Sequence, residues 1–167
     1  YKRSNIENFQ AADFKNTIKN KTILITCSTN GIGFELAKLL SKYNCNIVIC
    51  GIDKVEDAEK QLKQFNNNIL SIKCDLSDSK QVESLFKKAT DTFNTIDYCI
   101  QIPLINTGSK FIREKKLEDW NHDLNANVNA IYQLSQLCVK HMNYYKTNGK
   151  IITVISELDK KKTNNSQ

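Results

Sequence analysis

Five short apolar runs, spaced by amphipathic stretches, constrain this chain more than any other feature. From Lys21 onward the pattern predicts strands over 21–26, 46–51, 69–74, 97–102 and 150–155. Between them it predicts helices over about 31–43, 54–65 and 78–93, and a long helical region over 117–145. Runs such as Ile23-Leu24-Ile25, Ile47-Val48-Ile49 and Tyr98-Cys99-Ile100 do not alternate with polar residues. Strands apolar on both faces belong in a parallel sheet covered by helices on each side. The helices agree, with Ile32, Leu36, Leu39, Leu40 and Tyr43 on one predicted stripe and Val82, Leu85, Phe86 and Phe93 on another. Right-handed crossovers then give an α/β, doubly wound parallel sheet of Rossmann type, about five strands in order 3-2-1-4-5. Its ligand crevice lies at the carboxyl ends of strands one and four.

At 167 residues, with 40% hydrophobic and 25% charged residues, the chain suits one domain, over 21–156. Residues 1–20, with Ile6, Phe9, Phe14 and Ile18 at loosely helical spacing, read as an arm or docking helix, and 157–167 as a polar tail. The net charge of +6 comes from lysines scattered among acids and asparagines, which does not make a nucleic-acid face. No apolar run approaches a membrane span, and the amino terminus lacks a signal-peptide pattern. The first residue is Tyr1, which suggests processing or trimming. Six cysteines without a C-x-x-C pair read as buried thiols in a reducing compartment, the cytoplasm or an organelle matrix such as the mitochondrial one. No metal-ligand spacing stands out, and His122 and His141 read as surface or helix-packing residues.

The turn after the first strand is TCSTNGIG, Thr26 to Gly33. Gly31 is placed to let backbone approach a pyrophosphate, and Gly33 to let the helix pack close to the strand. Unpaired N–H groups at the helix start supply an anion site. Cys27 stands where such turns usually place their leading glycine. On residue type alone, Asp75 fits a turn or capping position and Ser156 a strand-end hydroxyl.

Six landmarks in order resemble the short-chain dehydrogenases/reductases over Lys21 to Ser156. They are the turn itself, CDLSD (Cys74 to Asp78), IDYCI (Ile96 to Ile100), Trp120, Asn127 in the long helix, and GKIITVIS (Gly149 to Ser156). The resemblance implies a dinucleotide site in which Thr26, Ser28, Asn30, Gly31, Ile32 and Gly33 form the turn around the cofactor phosphates and ribose. It implies that Asp75 and Leu76 hold the adenine. Asn127 would organise the proton-relay water and Ser156 would position a substrate carbonyl. The activity implied is hydride transfer between NAD or NADP and a carbonyl or alcohol. Gly51 and Ile52 occupy the positions that usually choose between the two cofactors, with Asp53 and Lys54 just beyond, so neither cofactor is specified.

Three departures fall at the functional edge. Cys27 brings a Cβ into the tight turn, which is expected to weaken cofactor binding. The family's N-N-A-G becomes Gln101-Ile102-Pro103-Leu104, where bulky Ile102 and Leu104 are expected to crowd the cofactor or redirect the loop. The Tyr-x-x-x-Lys pair is absent, since none of the tyrosines at 1, 43, 98, 132, 144 and 145 has lysine four positions on. A phenol needs such a cation to exchange protons near neutral pH. Either the chain is the amino-terminal part of a complete enzyme, or it is a degenerate relative acting as an accessory or scaffold subunit. Strand 150–155 carries one charge, Lys150, and one unpaired edge, so a protein partner or self-association is expected there.

Overall fold

The computed structural model describes residues 11–66, 68–103 and 112–155. The sheet is five-stranded and parallel, in the order β3-β2-β1-β4-β5. Its strands are β1 (Thr22–Ile25), β2 (Asn46–Gly51), β3 (Ile69–Lys73), β4 (Tyr98–Gln101) and β5 (Lys150–Thr153). The helices are α1 (Ala11–Ile18), α2 (Gly31–Leu40), α3 (Val55–Leu62), α4 (Ser79–Phe93), α5 (Leu117–Leu124) and α6 (Ala130–Tyr144). This is the order and topology expected from the sequence, with β1, β3, β4 and β5 each one or two residues shorter than their apolar runs.

Alternate strand residues feed two cores. Leu24, Val48, Cys50, Ile72 and Cys99 pack with Val82, Leu85, Ala89, Leu134 and Cys138 from α4 and α6. Ile23, Ile25, Ile47, Ile49 and Ile69 pack with Ala37, Leu40, Ala58 and Leu62 from α2 and α3. A fully buried side chain of this size contributes about 1.5–3 kcal/mol, so the doubly apolar strands supply most of the driving force.

The predicted stripe on α2 needs correction. Ile32 and Leu39 are 64% and 50% exposed, while Gly33, Ala37 and Leu40 face the sheet. Small residues occupy the contact because the helix lies close against the strand, and counting large apolar residues overlooks them. The long helical region is also not one helix. Residues Asn125–Asn129 between α5 and α6 are π-helical, with the Ala130 N–H donating to the Asn125 carbonyl five residues back.

At the amino-terminal end of the sheet, buried Asp97 accepts from Thr22 N and Lys21 Nζ, both at 2.9 Å. That hydrogen bond holds the Lys21 ammonium above its usual pKa. Helix α1 docks at the same end through buried Ile18 and an edge-to-face contact of Phe14 with Tyr43. Ile6, Phe9 and the tail at 157–167 lie outside the described residues. No helix among the described residues is long and apolar enough to cross a membrane.

Candidate functional site

The turn from β1 into α2 is built by residues that use their polar groups internally. The Thr26 hydroxyl donates to the Ile102 carbonyl at 3.0 Å and accepts from Ile102 N at 2.8 Å, tying the turn to the end of β4. The Ser28 hydroxyl donates to the Ile25 carbonyl at 2.6 Å and accepts from Cys50 N at 3.0 Å, tying it to β2. Both residues are buried. Their hydroxyls hold the turn in shape, and the neighbouring Thr29 is the turn hydroxyl that borders open space.

Cys27 adopts φ +47°, the left-handed backbone that favours glycine, so the leading position of this turn keeps the glycine geometry while carrying a side chain. Burial pushes its thiol up to about 11, which makes it an inert neutral group rather than a nucleophile. Gly31 has φ +56°, and a Cβ there would meet nothing within 4 Å, so its solvent side is open. Gly33 differs: a Cβ would lie 2.5 Å from the Cys27 carbonyl oxygen and 2.8 Å from Ser28 Cα. The helix start is thus pressed onto the turn, as the glycine spacing predicts. Asn30 holds the N-cap position with extended backbone and makes no capping bond through its side chain.

A cavity of about 180 Å³ opens beside this turn. Cys27, Thr29 and Asn30 form one wall, Gly51, Ile52 and Asp53 the second, and Cys74 and Leu76 the third. The cavity therefore sits over the carboxyl ends of β1, β2 and β3, on one side of the predicted crevice. Burial also raises the Cys74 thiol, to about 12. Asp75 lies next to this wall. Its Oδ1 accepts from Ser77 N and Ser77 Oγ, both at 2.8 Å, and its Oδ2 lies 3.9 Å from His122 Nε2 on α5. Sequence reasoning read His122 as a surface residue; only the chain's return through α5 brings it beside Asp75.

Asn127 sits in the π-helical segment. Its Nδ2 donates to the Asp123 carbonyl at 3.1 Å, while its Oδ1 is buried and has no protein partner. The adjacent Ala126 meets Thr26, Leu76 and Gln101 at a small cleft, which places this segment against the ends of β1 and β4. Ser156 and Leu104 lie outside the described residues. Ile102 is buried and packs in the core beside α2, with Gln101 turned toward α6 and β5. Ile102 is absent from the walls of the 180 Å³ cavity, so it does not crowd that part of the site.

The structure thus gathers Asn30 and Leu76 at one cavity, with Asp75 at its border. It buries Thr26, Ser28 and Gly33 beneath it, leaves Gly31 and Ile32 on the exposed helix start, and sets Asn127 on a separate helical segment. The parts fit a dinucleotide. There is an open glycine backbone, a helix start with an uncommitted cap, a cleft for a ribose and base, and an orphaned buried acceptor of the sort a water satisfies.

Comparison with known proteins agrees with this geometry. The chain is 30% identical over 148 residues to 2-dehydro-3-deoxy-D-gluconate 5-dehydrogenase of Escherichia coli (strain K12), covering 85% of this chain and 56% of that protein. Among solved structures, L-sorbose reductase from Gluconobacter frateurii, complexed with NADPH and L-sorbose, superposes with a TM-score of 0.71 at 26% identity. That match covers 81% of this chain and 52% of the other. The NADH-dependent reductase A1-R', complexed with NAD, gives 0.75 at 18% identity, over 86% of this chain and 62% of that one. The chain spans about half the length of the curated relatives it matches. The sequence profile of the short chain dehydrogenases matches residues 21–166, nearly the whole alternating region, and the chain belongs to that family.

Proposed function

We propose that this chain is the nucleotide-binding part of an NAD(P)-dependent oxidoreductase that moves a hydride between nicotinamide and a carbonyl or alcohol. The observation that carries this reading is the turn over 26–33, where left-handed Gly31 is open to solvent and Gly33 is wedged against the Cys27 carbonyl. A strand-to-helix turn built only for packing needs the second feature and not the first. The family's relatives, dehydrogenases and reductases by name, support the same reading.

In this reading the exposed start of α2, with Asn30, Gly31 and Ile32, holds the phosphates. Thr29 borders the ribose, and Asp75 with Leu76 holds the adenine. The bound dinucleotide supplies the hydride donor or acceptor. Asn127 offers its unpartnered Oδ1 to the water of a proton relay, and Ser156 orients the substrate oxygen. The proton itself needs a group of matched pKa, and residues 1–167 contain no tyrosine with lysine four positions on. Residues 1–167 alone therefore bind cofactor without turning it over. A panel of ketones and alcohols, followed at the nicotinamide absorbance, tests this. Turnover that disappears in Asn127→Ala and Ser156→Ala would show a substitute proton donor and defeat it.

A second reading, a non-catalytic accessory or scaffold subunit, is favoured by the β5 edge. Ile152 and Ile155 are 46% and 85% exposed there, and β5 is bonded only through β4. In both readings a protein partner, another copy or a further segment covers this edge. Sedimentation of the isolated chain should show association, and a monomer with unprotected 151–153 amides would remove the case. Cys27, Cys45, Cys50, Cys74, Cys99 and Cys138 are all unpaired, which suits a reducing compartment, cytoplasm or organelle matrix.

A further inference from the structure

We infer that the cavity selects a dinucleotide with a free ribose 2′-hydroxyl, NAD in preference to NADP, and that Asp53 makes the selection. The inference rests on the cofactor reading above and goes beyond it. The end of β2 is the place where a strand-end side chain would meet the ribose, and this chain has Gly51 there. No other residue fits, because a Cβ on Gly51 would lie 2.6 Å from Thr29 Oγ1 and 2.7 Å from Thr29 Cγ2. Thr29 fills that volume and presents a neutral hydroxyl. Discrimination passes to the residues just beyond the strand, which form the same wall.

Among the described residues, Asp53 is the one charged side chain lining this cavity. It is exposed at the rim, two positions past Gly51. Lys54 is not a lining residue, and its left-handed backbone (φ +56°) begins α3, where its carbonyl accepts from Ala58 N at 3.0 Å. A ribose 2′-hydroxyl can donate to the Asp53 carboxylate. A 2′-phosphate brings about two negative charges against that carboxylate with no cation in the wall, and like charges at a shared site repel.

Titration calorimetry with two pairs of probes tests this. Adenosine 5′-monophosphate and adenosine 2′,5′-bisphosphate differ only in the 2′-phosphate, as do NAD⁺ and NADP⁺. The 2′-hydroxyl member of each pair should bind at least about tenfold tighter, and Asp53→Asn should shrink that ratio severalfold by strengthening the 2′-phosphate probes. Asp53→Lys should invert it. Since Asp53 is exposed, both variants should keep the wild-type melting temperature. Equal or tighter binding of the 2′-phosphate probes to the wild type, or a ratio that Asp53→Asn leaves unchanged, overturns the inference while leaving the cofactor reading in place. If no probe binds, the cofactor reading fails and takes the inference with it.

Discussion

The two sides of the sheet differ in how fully the chain closes them. In β1 all four residues are buried, and in β2 four of six; in β5 none of the four is. The β1–β2 side also carries the densest cross-links, through the Thr26 and Ser28 hydroxyls. On the other side, β5 is held by its ladder with β4 and by one buried amide. Gln101 Nε2 donates to the Ile131 carbonyl (3.2 Å) and Ser135 Oγ (3.0 Å), while its Oε1 accepts from Thr153 Oγ1 (3.0 Å). The half that would grip the nucleotide is thus self-sufficient. The half that would carry the chemistry is open, and its reacting groups Asn127 and Ser156 depend on α6 and β5 being held in register.

The largest expected effect falls on the closed side. Gly33→Ala drives a Cβ into the Cys27 carbonyl, where backbone cannot yield cheaply, and should cost about 2–3 kcal/mol. A denaturant midpoint close to wild type would mean that α2 stands off from the turn, and the contrast between the two sides would weaken. Gln101→Leu should cost about 2 kcal/mol by leaving the Thr153 and Ser135 hydroxyls without their partner. Amide exchange should rise in β5 and stay slow in β1; equal protection in both would show that the amide is not the clamp.

How much of this was legible in the sequence follows the same division. The strands and their order could be read because Ile23 to Ile25 and Ile47 to Ile49 are apolar on both faces, a pattern few other folds need. The choice of Thr29 over Ser28 as the hydroxyl at the cavity could not, since it turns on the left-handed backbone of Cys27, which a sequence does not display. The π-helical break at 125–129 and the approach of His122 to Asp75 are products of tertiary packing between distant elements. Ile32 and Leu39 misled because the contact surface of α2 is made of glycine and alanine.

Smaller changes sharpen the comparison. Cys27→Gly relieves left-handed strain but also gives up a partly buried thiol, so stability should change little. Strain present in both free and bound turns does not alter affinity, whereas an emptied cavity wall does. Binding of NAD⁺ should therefore tighten severalfold, about 1 kcal/mol. Unchanged affinity would place the thiol away from the cofactor's path.

The smallest effect belongs to His141 on α6, whose Nε2 is buried without a partner between Phe86 and Tyr145. Burial lowers its pKa, so the unfolded chain takes up the proton more readily than the folded one. Its contribution is fully present above about pH 6.5, the ordinary histidine value, and declines as the pH falls below it. Urea midpoints of the wild type at pH 7.5 and 5.5 should differ more than those of His141→Phe. An identical pH dependence in both would remove His141 as the cause.

The central claim is that the turn over 26–33 and the cavity beside it form a nucleotide cradle that functions without the open half. Amide chemical-shift mapping during titration of the isolated chain with NAD⁺ tests it most directly. The account predicts shifts at residues 28–33, 51–53 and 75–76, with the β5 amides at 150–153 unmoved. A spectrum that does not respond, or one that responds at β5 and leaves 28–33 in place, would contradict it.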